Sequence, residues 1–325
     1  MIDAKPHKEY AEQLSLLLER GMQISDHDRA IKKLTQVGYY RLSGFWYTAR
    51  IIVTGDNNLS RRTDQFLPGT TFESAYDLYL FDKKLRLLML DALERIEIHI
   101  RSVIAHEIGR LDPLAYCKAS FMNPRFTSGE NSKFEQWLAV LNKKIKTSRD
   151  ECIHWHLEQR KEIPFWVAVE TWDFGQMSKY YLMLKGNLQK KITRRFDINN
   201  TQAFANWLNG LNILRNRCAH HSRIWNRKYV PLMIPQIDYF DSLISTSLQK
   251  ERIYGLICVM WYLVKRIAPN SNWLRQVADL IDSKPNMPGC NFNHMGLSSR
   301  GFPREAFGAD LGFITASNEN NIFNA

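Results

Sequence analysis

Apolar residues recur every three or four positions along most of this chain, the period of an amphipathic helix, and no stretch alternates convincingly as a strand would. The first helix is predicted over 7–20, with Leu14, Leu17 and Leu18 inward and Gly21 as its stop. A second starts at Ser25, with Asp28 in capping-box position. It carries Ala30, Ile31, Leu34 and Val37 on one face and ends at Gly38. An aromatic knot follows at 38–47, then a polar loop through Pro68 and Gly69. From Phe72 the apolar stripe runs almost unbroken to Gly109, as one long helix or two stacked ones, and Asp112-Pro113 ends it. After a loop at 122–131, further helices fit 132–146, 149–161, 165–173, 177–185, 187–195, 202–217, 239–248, 250–267 and 271–283. The pattern predicts an all-α multi-helix bundle. Residues 1–70 form an N-terminal helical region with the aromatic knot, 71–283 the main helical domain, and 284–325 a Gly-, Asn- and Pro-rich tail expected to be irregular and poorly ordered.

Composition narrows the class. With 325 residues, 45% of them hydrophobic, the chain can bury a large core, and its 39 aromatic residues (Trp 9, Tyr 13, Phe 17) argue against disorder. A net charge of +11 points to a polyanionic partner, most simply nucleic acid. The cysteines Cys117, Cys152, Cys218, Cys258 and Cys290 are scattered and never form a CxxC pair, which argues against a disulfide framework or a cysteine zinc site. No apolar run approaches the roughly 20 residues of a membrane span, and the N-terminus lacks a signal-peptide core. The expectation is a cytoplasmic protein with no cofactor and no membrane.

The run RNRCAHHSRIWN at 215–226 holds the candidate chemistry. Arg215 is a fixed cation whose planar fork matches a phosphate, and His220, or His221 beside it, can take and give a proton near neutrality. Asn216 adds an amide able to orient either group. On an unbroken helix, residues five apart differ by about 140° in azimuth and about 7.5 Å along the axis. Arg215 and His220 therefore converge on one phosphate only if the helix breaks near Cys218 or if two copies of the motif face each other across a two-fold axis. A second Arg-x4-His, Arg101 to His106, has apolar intervening residues and reads as buried helix, with Glu97 and Arg101 as an i,i+4 ion pair and a supporting role as the minor alternative. His154 and His156 lack a third ligand, so no metal site is expected. Trp166, Val167, Val169 and Trp172 read as core. The basic stretch 185–196, with Lys190, Lys191, Arg194 and Arg195, together with Arg217 and Arg223, is the candidate phosphate-contacting surface.

Four segments in order, GYYRLSGFWY at 38–47, ALERIEIHIRS at 92–102, PFWVAVETWDFGQMSKYY at 164–181 and LRNRCAHHSRIWNR at 214–227, resemble the Abi-like family, the AbiD/AbiF group of bacterial phage-resistance proteins. The resemblance covers about residues 8–280. The tail departs from it, because Met295-Gly296 and Gly301-Phe302-Pro303 split what is often a continuous MGFP-type segment. That family resembles the HEPN superfamily, helical bundles that often act as metal-independent RNases through Arg-x4-6-His. The resemblance implies Arg215, Asn216 and His220 (or His221) as the catalytic set, a homodimer, and a toxin that cleaves RNA to 2′,3′-cyclic phosphate and 5′-hydroxyl ends. A restraining RNA or an antitoxin protein would be its partner. The alternative is a non-catalytic RNA-binding or sensing module of the same defence.

Overall fold

The computed structural model describes residues 4–55, 58–298 and 300–312. The helices expected from periodicity are there, with shifted ends. Three come first: α1 (Tyr10–Glu19), α2 (His27–Val37) and α3 (Tyr39–Trp46). After α4 (Phe72–Gly109) come α5 (Lys133–Thr147), α6 (Glu151–Glu158), the short α7 (Phe165–Ala168), α8 (Phe174–Met183), α9 (Gly186–Arg194) and α10 (Thr201–Ala219). The single turns α11 (Asp238–Asp241) and α12 (Ser247–Lys250) lead to α13 (Ile253–Ile267) and α14 (Trp273–Asp282). Thus 239–248 is two separate turns rather than one helix, and 165–173 shortens to α7 and a 3-10 turn. The α2 cap also differs: Asp26, not Ser25, accepts the Arg29 N–H at 2.9 Å, while the Ser25 hydroxyl turns to Glu73 at 2.7 Å.

The long apolar stripe forms one helix. Thr71 caps α4 by accepting from the Ser74 N–H. Leu78, Leu85, Met89, Ile96, Ile100 and Ile104 then fall on its buried face. Its 38 residues span about 57 Å. α3, α10, α13 and α14 pack along this spine, and α10 also packs on α8. α13 is buried from Ile253 through Val264, so it runs through the core rather than over it. Each such large apolar side chain contributes about 1.5–3 kcal/mol on burial.

Two expectations fail. Strands β1 (Arg50–Thr54) and β2 (Ser60–Phe66) form an antiparallel hairpin, with Ile52 opposite Arg62 and a bulge between Arg50 and Ile52. It is mostly exposed and held by polar contacts, Arg20 and Arg50 both pairing with Asp64 at 2.9 Å, so no alternation of apolar residues announced it. The tail is irregular as expected, yet 285–298 and 300–312 are packed rather than loose, and 313–325 lies outside the described residues. Met287, Met295, Leu297, Phe302 and Phe307 are buried. Gly289 has φ +69°, and a Cβ there would meet the Thr48 carbonyl oxygen at 2.2 Å, so only glycine lets the tail lie this close to the residues after α3.

Candidate functional site

α10 starts at an Asn200 cap, packs on the spine, and buries Trp207, Leu208, Leu211, Leu214 and Cys218. It ends inside the candidate motif. The His220 N–H still reaches the Asn216 carbonyl at 2.9 Å. His221 then takes a left-handed conformation, φ +56°, with its N–H on the Cys218 carbonyl at 3.1 Å, and the Ser222 N–H closes on the Arg217 carbonyl at 2.8 Å. This is a Schellman stop built without glycine. Two outside contacts fix it. Arg41 of α3 donates to the His221 carbonyl at 2.8 Å. Beyond the turn, the Ile224 and Trp225 N–H groups donate at 3.0 and 2.7 Å to one carboxylate oxygen of Asp82, a wholly buried residue whose other oxygen pairs with Arg86. Burial pushes the Asp82 carboxyl up, and the Trp225 N–H and Arg86 oppose that shift.

Arg215 lies one turn earlier, in a polar cluster built from four helices. Its Nε is 3.8 Å from Glu97 Oε2 on α4, and Arg101 approaches the other Glu97 oxygen at 3.9 Å. These are charge contacts rather than hydrogen bonds. Arg101 is anchored by the Trp172 carbonyl at 3.2 Å. Arg215 donates only a long 3.4 Å contact to Asn216, which in turn reaches Asn212 at 3.5 Å. Beside them Asp173 caps α8, accepting from the Gln176 N–H at 2.8 Å and from Lys144 of α5 at 2.5 Å. Burial pushes the Glu97 carboxyl up, with Arg101 and Arg215 pulling it back and the Asp173 charge adding to the rise. Burial alone would raise Asp173 too, but Lys144 and the Gln176 N–H bring it below its ordinary value.

Within one chain the two parts of the motif thus have different surroundings. Arg215 faces Glu97, whereas His220 is exposed at the helix end and His221 lines a cavity with Arg41 and Lys83. No hydrogen bond or ion pair joins Arg215 to either histidine among the described residues. The helix does stop just past Cys218, with His220 as its last capping residue.

The expected phosphate-contacting residues divide. Lys190 and Arg194 are exposed and Lys191 is half-buried. Arg195 is tied at 2.7 Å to Glu107, which is buried at 3% exposure, so its charge is already answered. Arg217 lies over the Tyr229 ring. Arg223 is half-buried between Phe45 and Trp225, and burial, with Arg227 beside it, pushes it down to about 10. Trp166, expected in the core, is 54% exposed, while Val169 and Trp172 are buried. The His106 of the second Arg-x4-His lines a separate cavity with Ser102, Arg110 and Trp166. Among the described residues no group of three or more His, Cys, Asp or Glu side chains is placed to hold a metal ion. None of the helices among them is long and apolar enough to cross a membrane.

Sequence reading did not single out Asp82, Lys144, Asp173 or Asn212. Asp82 left a signal: a carboxylate on the inward stripe between Leu78 and Leu85, four residues before Arg86. Asp173 left another, an Asx residue opening a helix with Gln176 three residues on.

All four quoted segments thus meet around the last turns of α10. A model of the Abi-like protein family matches residues 32–226, from α2 to just past the histidine turn. The chain belongs to the Abi-like family. The match takes in α3, α4, α8 and α10, so both halves of the site lie within the Abi-like region, while α13, α14 and the docked tail lie outside it. Abi-like membership points to abortive infection, a form of phage defence. No curated protein and no solved structure matches this chain.

Proposed function

We propose that this Abi-like protein is an abortive-infection endoribonuclease of the HEPN type, with Arg215 and His220 as its working pair and a homodimer as its active form. The observation that carries the reading is the state of Arg215. Its side chain is 35% exposed, is oriented by Glu97 at charge-contact distance, and has most of its donors unspent. That is the condition for a guanidinium that must still grip a phosphate.

The reaction needs little else. One imidazole takes the proton of the RNA 2′-hydroxyl as the O2′–P bond forms. The bond from phosphorus to the departing 5′-oxygen breaks, and that oxygen takes a proton from a second imidazole. A 2′,3′-cyclic phosphate and a 5′-hydroxyl result. Each imidazole contributes about 10²- to 10⁴-fold, and Arg215 holds the charge that grows on phosphorus. Arg215 and His220 share no direct contact within a chain among the described residues, and the reaction calls for two imidazoles, so in this reading a two-fold arrangement that sets the 215–221 segments of two protomers side by side supplies both the cation and the two imidazoles. Uncontrolled cleavage would kill the cell, so a restraining RNA or antitoxin protein belongs to the same reading.

The test is purified protein with RNA in excess EDTA, with end groups read by their susceptibility to phosphatase and kinase. Cyclic-phosphate ends are expected from wild type, with at least a hundredfold loss in both Arg215→Ala and His220→Ala. Mixing the two variants is expected to restore partial activity. RNA binding without cleavage by wild type would instead favour a sensing module, and strict dependence on Mg²⁺ or Mn²⁺ would overturn the mechanism.

A further inference from the structure

The cavity beside His221 has a volume of about 310 Å³, at the small end of ligand sites. One wall is a single stripe of α4, with Tyr79, Lys83, Leu87 and Leu90 at spacings of three and four residues. Arg41 of α3 and the His221 turn form the other side. Among the described residues no carboxylate lines it. The charge of Arg86 at its floor is answered by buried Asp82, so the unanswered cations are at the rim. Lys83 is exposed and forms no ion pair among the described residues, and Arg41 spends one N–H on the His221 carbonyl. Leu87 is 58% exposed on a helix whose other leucines mostly turn inward. The cleft therefore joins an apolar and aromatic wall to two free cations and leaves its mouth open. That chemistry suits a nucleotide: a planar base with an anionic group at its edge.

We propose that this cleft is a nucleotide subsite for an RNA strand. The base lies against Leu87 and Leu90, its phosphate meets Arg41 and Lys83, and the next phosphate is delivered to the His220–His221 turn. The proposal rests on RNA being the ligand, as above, but not on its being cut.

The probe is a fluorescein-labelled 2′-O-methyl oligoribonucleotide, which lacks the attacking hydroxyl, bound to the intact protein in EDTA and followed by anisotropy across a salt series. Lys83→Gln is expected to weaken binding several-fold and to flatten the log–log salt slope by about 0.7. Leu87→Glu, which puts a carboxylate into the cleft, is expected to cost about tenfold. Lys84→Gln removes the same charge from an exposed position outside the cleft and is expected to leave binding near wild type. All three positions are exposed on a helix and accept the new residues, which melting curves would verify. Wild-type binding by both cleft variants would overturn the proposal, as would an equal loss in Lys84→Gln. Loss of AMP binding in the cleft variants with oligonucleotide binding unchanged would assign the cleft to a free nucleotide and overturn the strand reading. Failure of wild type to cleave RNA would leave these binding results standing, so the two readings fail separately.

Discussion

His221 occupies a conformation that costs a side-chain-bearing residue about 1–2 kcal/mol, and it is held there by Arg41 and Ser222 rather than chosen for it. His221→Gly should therefore keep stability within about 1 kcal/mol of wild type, whereas a β-branched His221→Val should lose about 1–2 kcal/mol, both read by urea denaturation. The same variant separates the two histidines. With His220 as proton carrier, His221→Gly stays active. A stable but dead His221→Gly would transfer the role. At this scale the spacing alone was not distinctive, since Arg101 and His106 share it, and what made the motif legible was Asn216 beside Arg215 and the apolar flanks. The turn that aims its histidines was not legible, because no glycine marks it and its outside partners, the donor Arg41 and the acceptor Asp82, come from α3 and α4. The partners of Arg215 were half legible: Glu97 came forward as the helical neighbour of Arg101, but its approach to Arg215 depends on how α4 and α10 pack.

At the level of elements, Asp82 joins α4 to the irregular segment after the histidine turn. Asp82→Ala would leave Arg86 uncompensated and two N–H groups without acceptors, and is expected to cost about 3–5 kcal/mol in urea denaturation. Asp82→Asn keeps an acceptor and should cost less. An alanine variant as stable as wild type would mean the turn is fixed by packing alone. Element by element, legibility followed burial. α4 came out with both ends correct, because a one-sided apolar stripe and a following Asp-Pro agree. The β1–β2 hairpin stayed hidden because both its faces are largely wet and its register rests on arginine contacts that carry no periodicity. α11 and α12 merged in the sequence because their apolar residues happened to continue a helical period across a break.

For the whole molecule, the docked tail is the feature sequence composition misread. Gly, Asn and Pro marked it as irregular, which it is, but Met295, Phe302 and Phe307 are anchors that composition averages away. Its docking should depend on pH. His294 packs edge-on against Trp225, and burial, with Arg252 and Arg62 nearby, pushes its pKa down to about 4 from an ordinary 6.5. The folded chain thus holds it neutral while the unfolded chain protonates first. The stability it contributes is complete above pH 6.5 and is lost as pH falls toward 4. Between pH 7.5 and 5 wild type should lose about 1 kcal/mol more than His294→Phe, a figure reduced for the solvent this half-buried ring still meets. Parallel denaturation curves for the two proteins at both pH values would refute the assignment.

The length of α4 has a consequence for what the protein can grip. Glu97, which orients Arg215, and Leu87, in the cleft wall, are ten residues apart on one unbroken helix, about 15 Å along its axis. No loop or hinge lies between them, so the two proposed contact points form a caliper with a fixed gap. Ligand length rather than ligand sequence then becomes the first quantity measured: a fragment shorter than the gap holds at one jaw, and only a strand that bridges it engages both.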